Sequence, residues 1–152
     1  MYKLLAPILL LITQISFAEP LELYWEDMVP KGYVDPNIPL THNNSMQQQN
    51  LDSPTVPELN GKLVKIPGFM VPLEGDNEKI TEFLLVPYFG ACVHVPPPPP
   101  NQIVYVKFSK EVSIQNLYDA VWVTGTLSTN TWQGDLATVG YTLQGMDISV
   151  YD

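Results

Sequence analysis

Five consecutive prolines, Pro96, Pro97, Pro98, Pro99 and Pro100, set the strictest limit on what this chain can build. Proline locks φ near about −65° and has no backbone N–H, so neither a regular helix nor a central strand can run through the segment. Polyproline II is the favoured form, with an open backbone and no internal ladder. Any sheet must be assembled from segments on either side of the run, with Asn101 as the point where local hydrogen bonding restarts.

Such segments are present. Val64, Ile66 and residues 68–71 are β-favouring; Glu74-Gly75-Asp76-Asn77 supplies a turn; and residues 80–86 form a mostly apolar run closed by Pro87. Beyond the prolines, residues 103–108 alternate, 112–117 hold a short turn or helical passage, and 120–127 and 137–143 read as two more strands. No long amphipathic helix separates these runs and no internal repeat is visible. Five or six strands in this length predict a mainly β or α+β domain, a small curled sheet or OB-like barrel, in preference to a helical bundle or a βαβ fold. Such a shape does not by itself define what is bound.

The start of the chain has the form of an export signal. Met1-Tyr2-Lys3 is positively charged, residues 4–12 are apolar, and Ser16-Phe17-Ala18 places small residues where a signal peptidase reads, so residues 1–18 are expected to be a signal peptide cleaved after Ala18. No cysteine stands at that site to take a lipid. No later stretch reaches the roughly 20 apolar residues that a spanning helix needs. The mature chain is therefore expected to be soluble, periplasmic or otherwise exported, with no transmembrane segment. The remaining 134 residues suit one domain, with an N-terminal segment and polar loop over 19–59 and the main β-rich part over 60–152.

After cleavage, six lysines and no arginine face 16 carboxylates, a formal charge of −10. With neither a basic stripe nor an arginine fork for phosphate, a nucleic-acid partner is disfavoured. One cysteine excludes an internal disulfide; in an oxidising compartment such a thiol is buried, metal-bound or open to another thiol. Near the mature start, Pro30 and Gly32 end a short apolar element in which Trp25 is expected to pack on the domain. Residues 35–57 are mostly polar and read as a long loop, and His42, with no paired histidine, reads as an exposed loop residue.

Chemistry concentrates just before the prolines. Cys92 and His94 offer a sulfur and an imidazole suited to zinc, less well to copper, and in an extended segment Val93 would leave both side chains on one face. Two ligands do not close a site; Glu82 is the carboxylate taken as a third, with Glu74 and His42 further candidates. The other use of the segment is recognition. A rigid lip of Pro96, Pro97, Pro98, Pro99, Pro100 and Asn101 with the rings of Tyr88 and Phe89 could be docked by a partner, another copy of the chain included, unless both rings pack behind the loop. A cysteine-dependent enzyme is a further alternative. It needs Cys92 as nucleophile and His94 as base, and the spacing supplies neither an orienting group nor oxyanion donors. There is no second cysteine at redox spacing, no phosphate loop and no dinucleotide fingerprint.

The stretch from Gly61 to Glu74, which contains Ile66-Pro67-Gly68-Phe69-Met70, resembles an exported bacterial family of unknown function, numbered 3299. Glu82-Phe83-Leu84-Leu85-Val86-Pro87-Tyr88-Phe89-Gly90-Ala91-Cys92-Val93-His94, the prolines with Asn101-Gln102-Ile103-Val104, and Val121-Trp122-Val123-Thr124-Gly125-Thr126-Leu127 extend the likeness over most of the mature chain. The resemblance implies a small exported protein encoded among transporter components, in some settings linked to metal supply. Its implied partner is a component of an envelope transport system. Residues and resemblance together point to a non-catalytic binding or accessory protein, with a protein-interaction module as the first alternative.

Overall fold

A computed structural model describes residues 18–36, 46–76 and 78–151. Residues 1–17 of the expected signal peptide 1–18, and His42, lie outside them. Among the described residues the strands are β1 (Leu21–Glu22), β2 (Leu63–Gly75), β3 (Lys79–Val86), β4 (Val104–Ser113), β5 (Val121–Ser128), β6 (Trp132–Gln133), β7 (Thr138–Val139) and β8 (Tyr141–Val150). Short 3-10 turns occur at Trp25–Met28, Pro57–Leu59 and Pro100–Gln102.

The main sheet runs β1-β2-β3-β4-β8-β5, and β5 also pairs with β2, which closes a five-stranded barrel. Around it the pairings are antiparallel except β4 with β8, which are parallel. This is the OB-like architecture anticipated from the strand count. Closure requires β2 to serve two partners, and Pro67-Gly68 mark the corner. Up to Gly68 the strand pairs with β5, and from Phe69 onward it pairs with β3. Proline is tolerated there because it sits where one ladder hands over to the next, and its carbonyl accepts the Trp25 Nε1–H at 2.7 Å.

Alternation along the strands sorts side chains to two sides. Val64, Ile66, Phe83, Leu85, Val106 and Leu143 point inward with other residues to form the barrel core, where Phe83 stacks on Phe108 at 6.2 Å between centroids. The opposite parity puts Val71, Leu84 and Val86 outside the sheet, where Ala91, Ile103, Ala137 and Val139 cover them as a second core. The run 80–86 is nearly continuous in apolar character because it is buried on both faces.

The N-terminal segment is fastened to the barrel by Tyr141. This fully buried phenol donates to the Met28 carbonyl at 2.8 Å and accepts from the Val56 N–H at 2.7 Å. Trp25 packs on the core, as expected. Two strand boundaries differ from expectation. Residues 137–143 do not form one strand: they split at Gly140 between the β6–β7 hairpin and β8, and β8 runs on to Val150 through a bulge opposite Thr124 and Gly125. Among the described residues no helix is long and apolar enough to cross a membrane.

Candidate functional site: the aromatic loop and its proline support

The connection from β3 to β4 lies over the second core, with the proline run as its return path. Five prolines contribute carbonyl acceptors and no donors, so their partners must come from elsewhere. Gln48 Nε2 donates to Pro98 at 2.8 Å, the Gln102 N–H to Pro99 at 2.8 Å and the Gly140 N–H to Pro100 at 2.7 Å. Gln48 also donates to the Thr138 carbonyl at 2.7 Å and accepts the Thr138 N–H at 2.8 Å, joining the prolines to β7 through one side chain. Gly140 is required by close approach: a Cβ there would stand 2.8 Å from Thr55 Cγ2 and 3.1 Å from the Pro100 carbonyl oxygen.

Ahead of the prolines, residues 90–95 close into a tight turn. The N–H groups of Val93, His94 and Val95 all converge on the Gly90 carbonyl, at 3.3, 2.8 and 3.3 Å. Gly90 has φ +86°, open to glycine without penalty, whereas Cys92 holds φ +65°, a left-handed conformation that costs an ordinary residue about 1–2 kcal/mol. Packing of the Cys92 side chain against the second core holds it there. The extended geometry that would set Cys92 and His94 on one face is therefore replaced by a turn.

Cys92 is partly buried, and burial pushes its thiol up to about 11. That favours the neutral thiol over the thiolate that a nucleophile or metal ligand requires. Burial, and secondly the charge Cys92 would carry, also raise the Tyr88 phenol. His94 is exposed at the turn. Glu82 lies on the outward face of β3, where its carboxylate accepts from Tyr105 Oη at 2.7 Å and pairs with Lys107. The Lys107 and Tyr105 hydrogen bonds hold it below the usual carboxylate range. Glu82 thus does not join Cys92 and His94, and among the described residues no group of three or more His, Cys, Asp or Glu side chains is placed to hold a metal ion.

The residues expected to serve recognition separate into two sets. Tyr88 and Phe89 are 44% and 57% exposed, so they do not pack behind the loop. Pro96, Pro97 and Pro99 are partly buried, while Pro98, Pro100 and Asn101 are buried, with Asn101 Nδ2 donating to the Pro54 carbonyl at 3.0 Å. The rings form the surface and much of the proline run is its foundation. Phe89 meets Phe69 and Tyr118 edge to face, each with centroids 6.0 Å apart. Beside them opens a cavity of about 150 Å³, lined by Phe69, Val71, Phe89, Val93, His94 and Tyr118 among others. His94 is its one imidazole in an otherwise mostly apolar wall. A mostly apolar space of this size takes a group about as large as benzene.

Sequence reasoning missed Gln48, Tyr118 and Trp132. Trp132 stacks on Tyr105 with centroids 4.3 Å apart and rings 7° from parallel, so the β6–β7 hairpin covers the outer face of β4. A signal for Gln48 was available: an acceptor-only proline run needs donors, and residues 47–50 are all carboxamides.

Fold and site together define an OB-like barrel protein with an exposed aromatic surface loop. The chain matches the family described as Protein of unknown function (DUF3299) over residues 25–150, and it belongs to that family. It is similar to a solved DUF3299 family protein from Pseudomonas aeruginosa PAO1, at 40% identity and a TM-score of 0.78, over 89% of this chain and 98% of that one. No curated protein matches the chain.

Proposed function

We propose that this protein is an exported, non-catalytic binding module that serves an envelope transport or metal-handling system and recognises a protein partner through its aromatic loop. The observation that carries the reading is the exposure of Tyr88 and Phe89 beside an apolar cavity, on a backbone pinned by the Gly90 carbonyl and the proline run. A loop already held in one conformation loses little entropy on docking, and aromatic rings supply contact area with few rotatable bonds. Export is supported by the sequence pattern of residues 1–18. The raised Cys92 thiol supports binding over nucleophilic catalysis.

Site-specific photo-crosslinking in the native host tests this. A crosslinking residue at Phe89 or Val93 is expected to give discrete adducts that the same residue at exposed Lys110 does not. Equal adducts at all three positions, or none at the loop, sink the proposal. Zinc, or less favourably copper, bound by Cys92 and His94 is decided separately by calorimetry on reduced protein. Stoichiometric binding lost in both Cys92→Ser and His94→Ala would move the assignment to metal binding, with the third donor coming from outside the described residues or from a partner.

A further inference from the structure

Residues 83–106 are a run of 24 with no Asp, Glu, Lys or Arg, in a chain whose formal charge is −9. Copies of so acidic a protein repel one another, and the exposed members of this run, Tyr88, Phe89, Val93, His94 and Val95, bring no carboxylate of their own to an approach between two copies. The nearest carboxylate in sequence to the Tyr118 ring, Asp119, is engaged by Asn116 Nδ2 at 3.0 Å. Within the same patch a hole stands next to its own knobs. Phe89 and Tyr118 protrude, 57% and 67% exposed, at the rim of the 150 Å³ cavity that they help to line. A knob adjacent to a hole is self-complementary about a two-fold axis, because a half-turn sets each knob over the other copy's hole.

Resting on the reading of this loop as a recognition surface, we infer that its occupant is a second copy of the chain. In this isologous dimer the Tyr118 ring of each copy enters the cavity between Phe69, Phe89 and His94 of the other. The ring matches the benzene-sized space, and Val93, 57% exposed, completes the apolar contact around it.

Sedimentation equilibrium on the purified mature chain tests the assignment, with Tyr118→Asp, Phe89→Asp and Tyr118→Phe compared to the unaltered protein. Twice the monomer mass is expected for the unaltered chain and for Tyr118→Phe. Each aspartate variant should raise the dissociation constant at least about 100-fold, because a central aromatic is lost and a charge is added twice in a symmetric interface. Both positions are exposed, and circular dichroism verifies that the variants fold. A monomeric mass up to about 1 mM, where even millimolar association registers, overturns the inference. So does a dimer that survives both aspartate variants. Loop adducts to a different protein, found while the purified chain stays monomeric, sink the dimer and leave the binding module standing; absence of both dimer and adducts sinks both.

Discussion

The barrel core and the second core share one sheet as their wall, yet different rules build them. Inside, Val64, Ile66, Phe83, Leu85 and Val106 come from strands whose parity alone directs them inward. Outside, strand residues Leu84 and Val86 meet Ala91, Ile103, Ala137 and Val139, and three of those four come from connections with no period. The inner core is held by burial. The outer one also depends on donors brought to backbone that cannot form a ladder, the Gln48 side chain and the N–H groups of Gln102 and Gly140. Elements that carry a functional surface are commonly drawn from such loop regions on a rigid scaffold, and the recognition role proposed for the aromatic loop fits that rule.

This contrast can be broken by three measurements. The largest effect is expected for Phe83→Ala, which empties part of the barrel interior and should lower unfolding free energy by about 3–5 kcal/mol in denaturant titration. A loss under about 1 kcal/mol would mean that the interior is not the main source of stability. Next comes Gln48→Ala, which strands the Pro98 and Thr138 carbonyls and the Thr138 N–H. Its cost should be about 1–3 kcal/mol. Amide exchange should quicken around Thr138 and Gly140 while β3 and β4 stay protected; uniform loss of protection would erase the distinction between the cores.

The smallest effect concerns Cys92. With its folded thiol near 11, alkylation at pH 8 should run about 100-fold slower than in the unfolded chain, and should quicken as pH rises toward 11. The unfolded thiol loses its proton near about 8.5 and the folded one only near 11, so its contribution to stability is intact below the first value and declines across the window above it. Cys92→Ala should flatten that part of the pH profile. Equal alkylation rates in folded and unfolded chains would show that the thiol is not packed on the outer core.

Legibility followed the same division. Residues 80–86 and 103–108 were readable as strands because a wall buried on one or both faces leaves a period or a run. The continuation of β8 through Gln144-Gly145-Met146-Asp147 was not, since the bulge opposite Thr124 and Gly125 breaks the alternation. Gly140 was taken into a strand because nothing local announces that its N–H turns to Pro100. At the site, Tyr88 and Phe89 were named as recognition candidates from their position before the prolines. The cavity and Tyr118 were invisible, since they depend on contact between residues that stand far apart in the chain. Asn101 is expected in the rigid lip as the point where hydrogen bonding restarts; its burial reflects the hydrogen bond to Pro54.

The proline run has one more consequence. A flank of the protein that offers carbonyls and no N–H groups cannot template an incoming strand, since each added residue would find half of its ladder missing. With three of its five carbonyls already occupied from within, this side of the molecule is closed to extension by a stray β segment. The five prolines that prevent helix and strand thus also act as a guard against fibrous self-association, leaving side-chain docking at the neighbouring rings as the mode of contact the loop still permits.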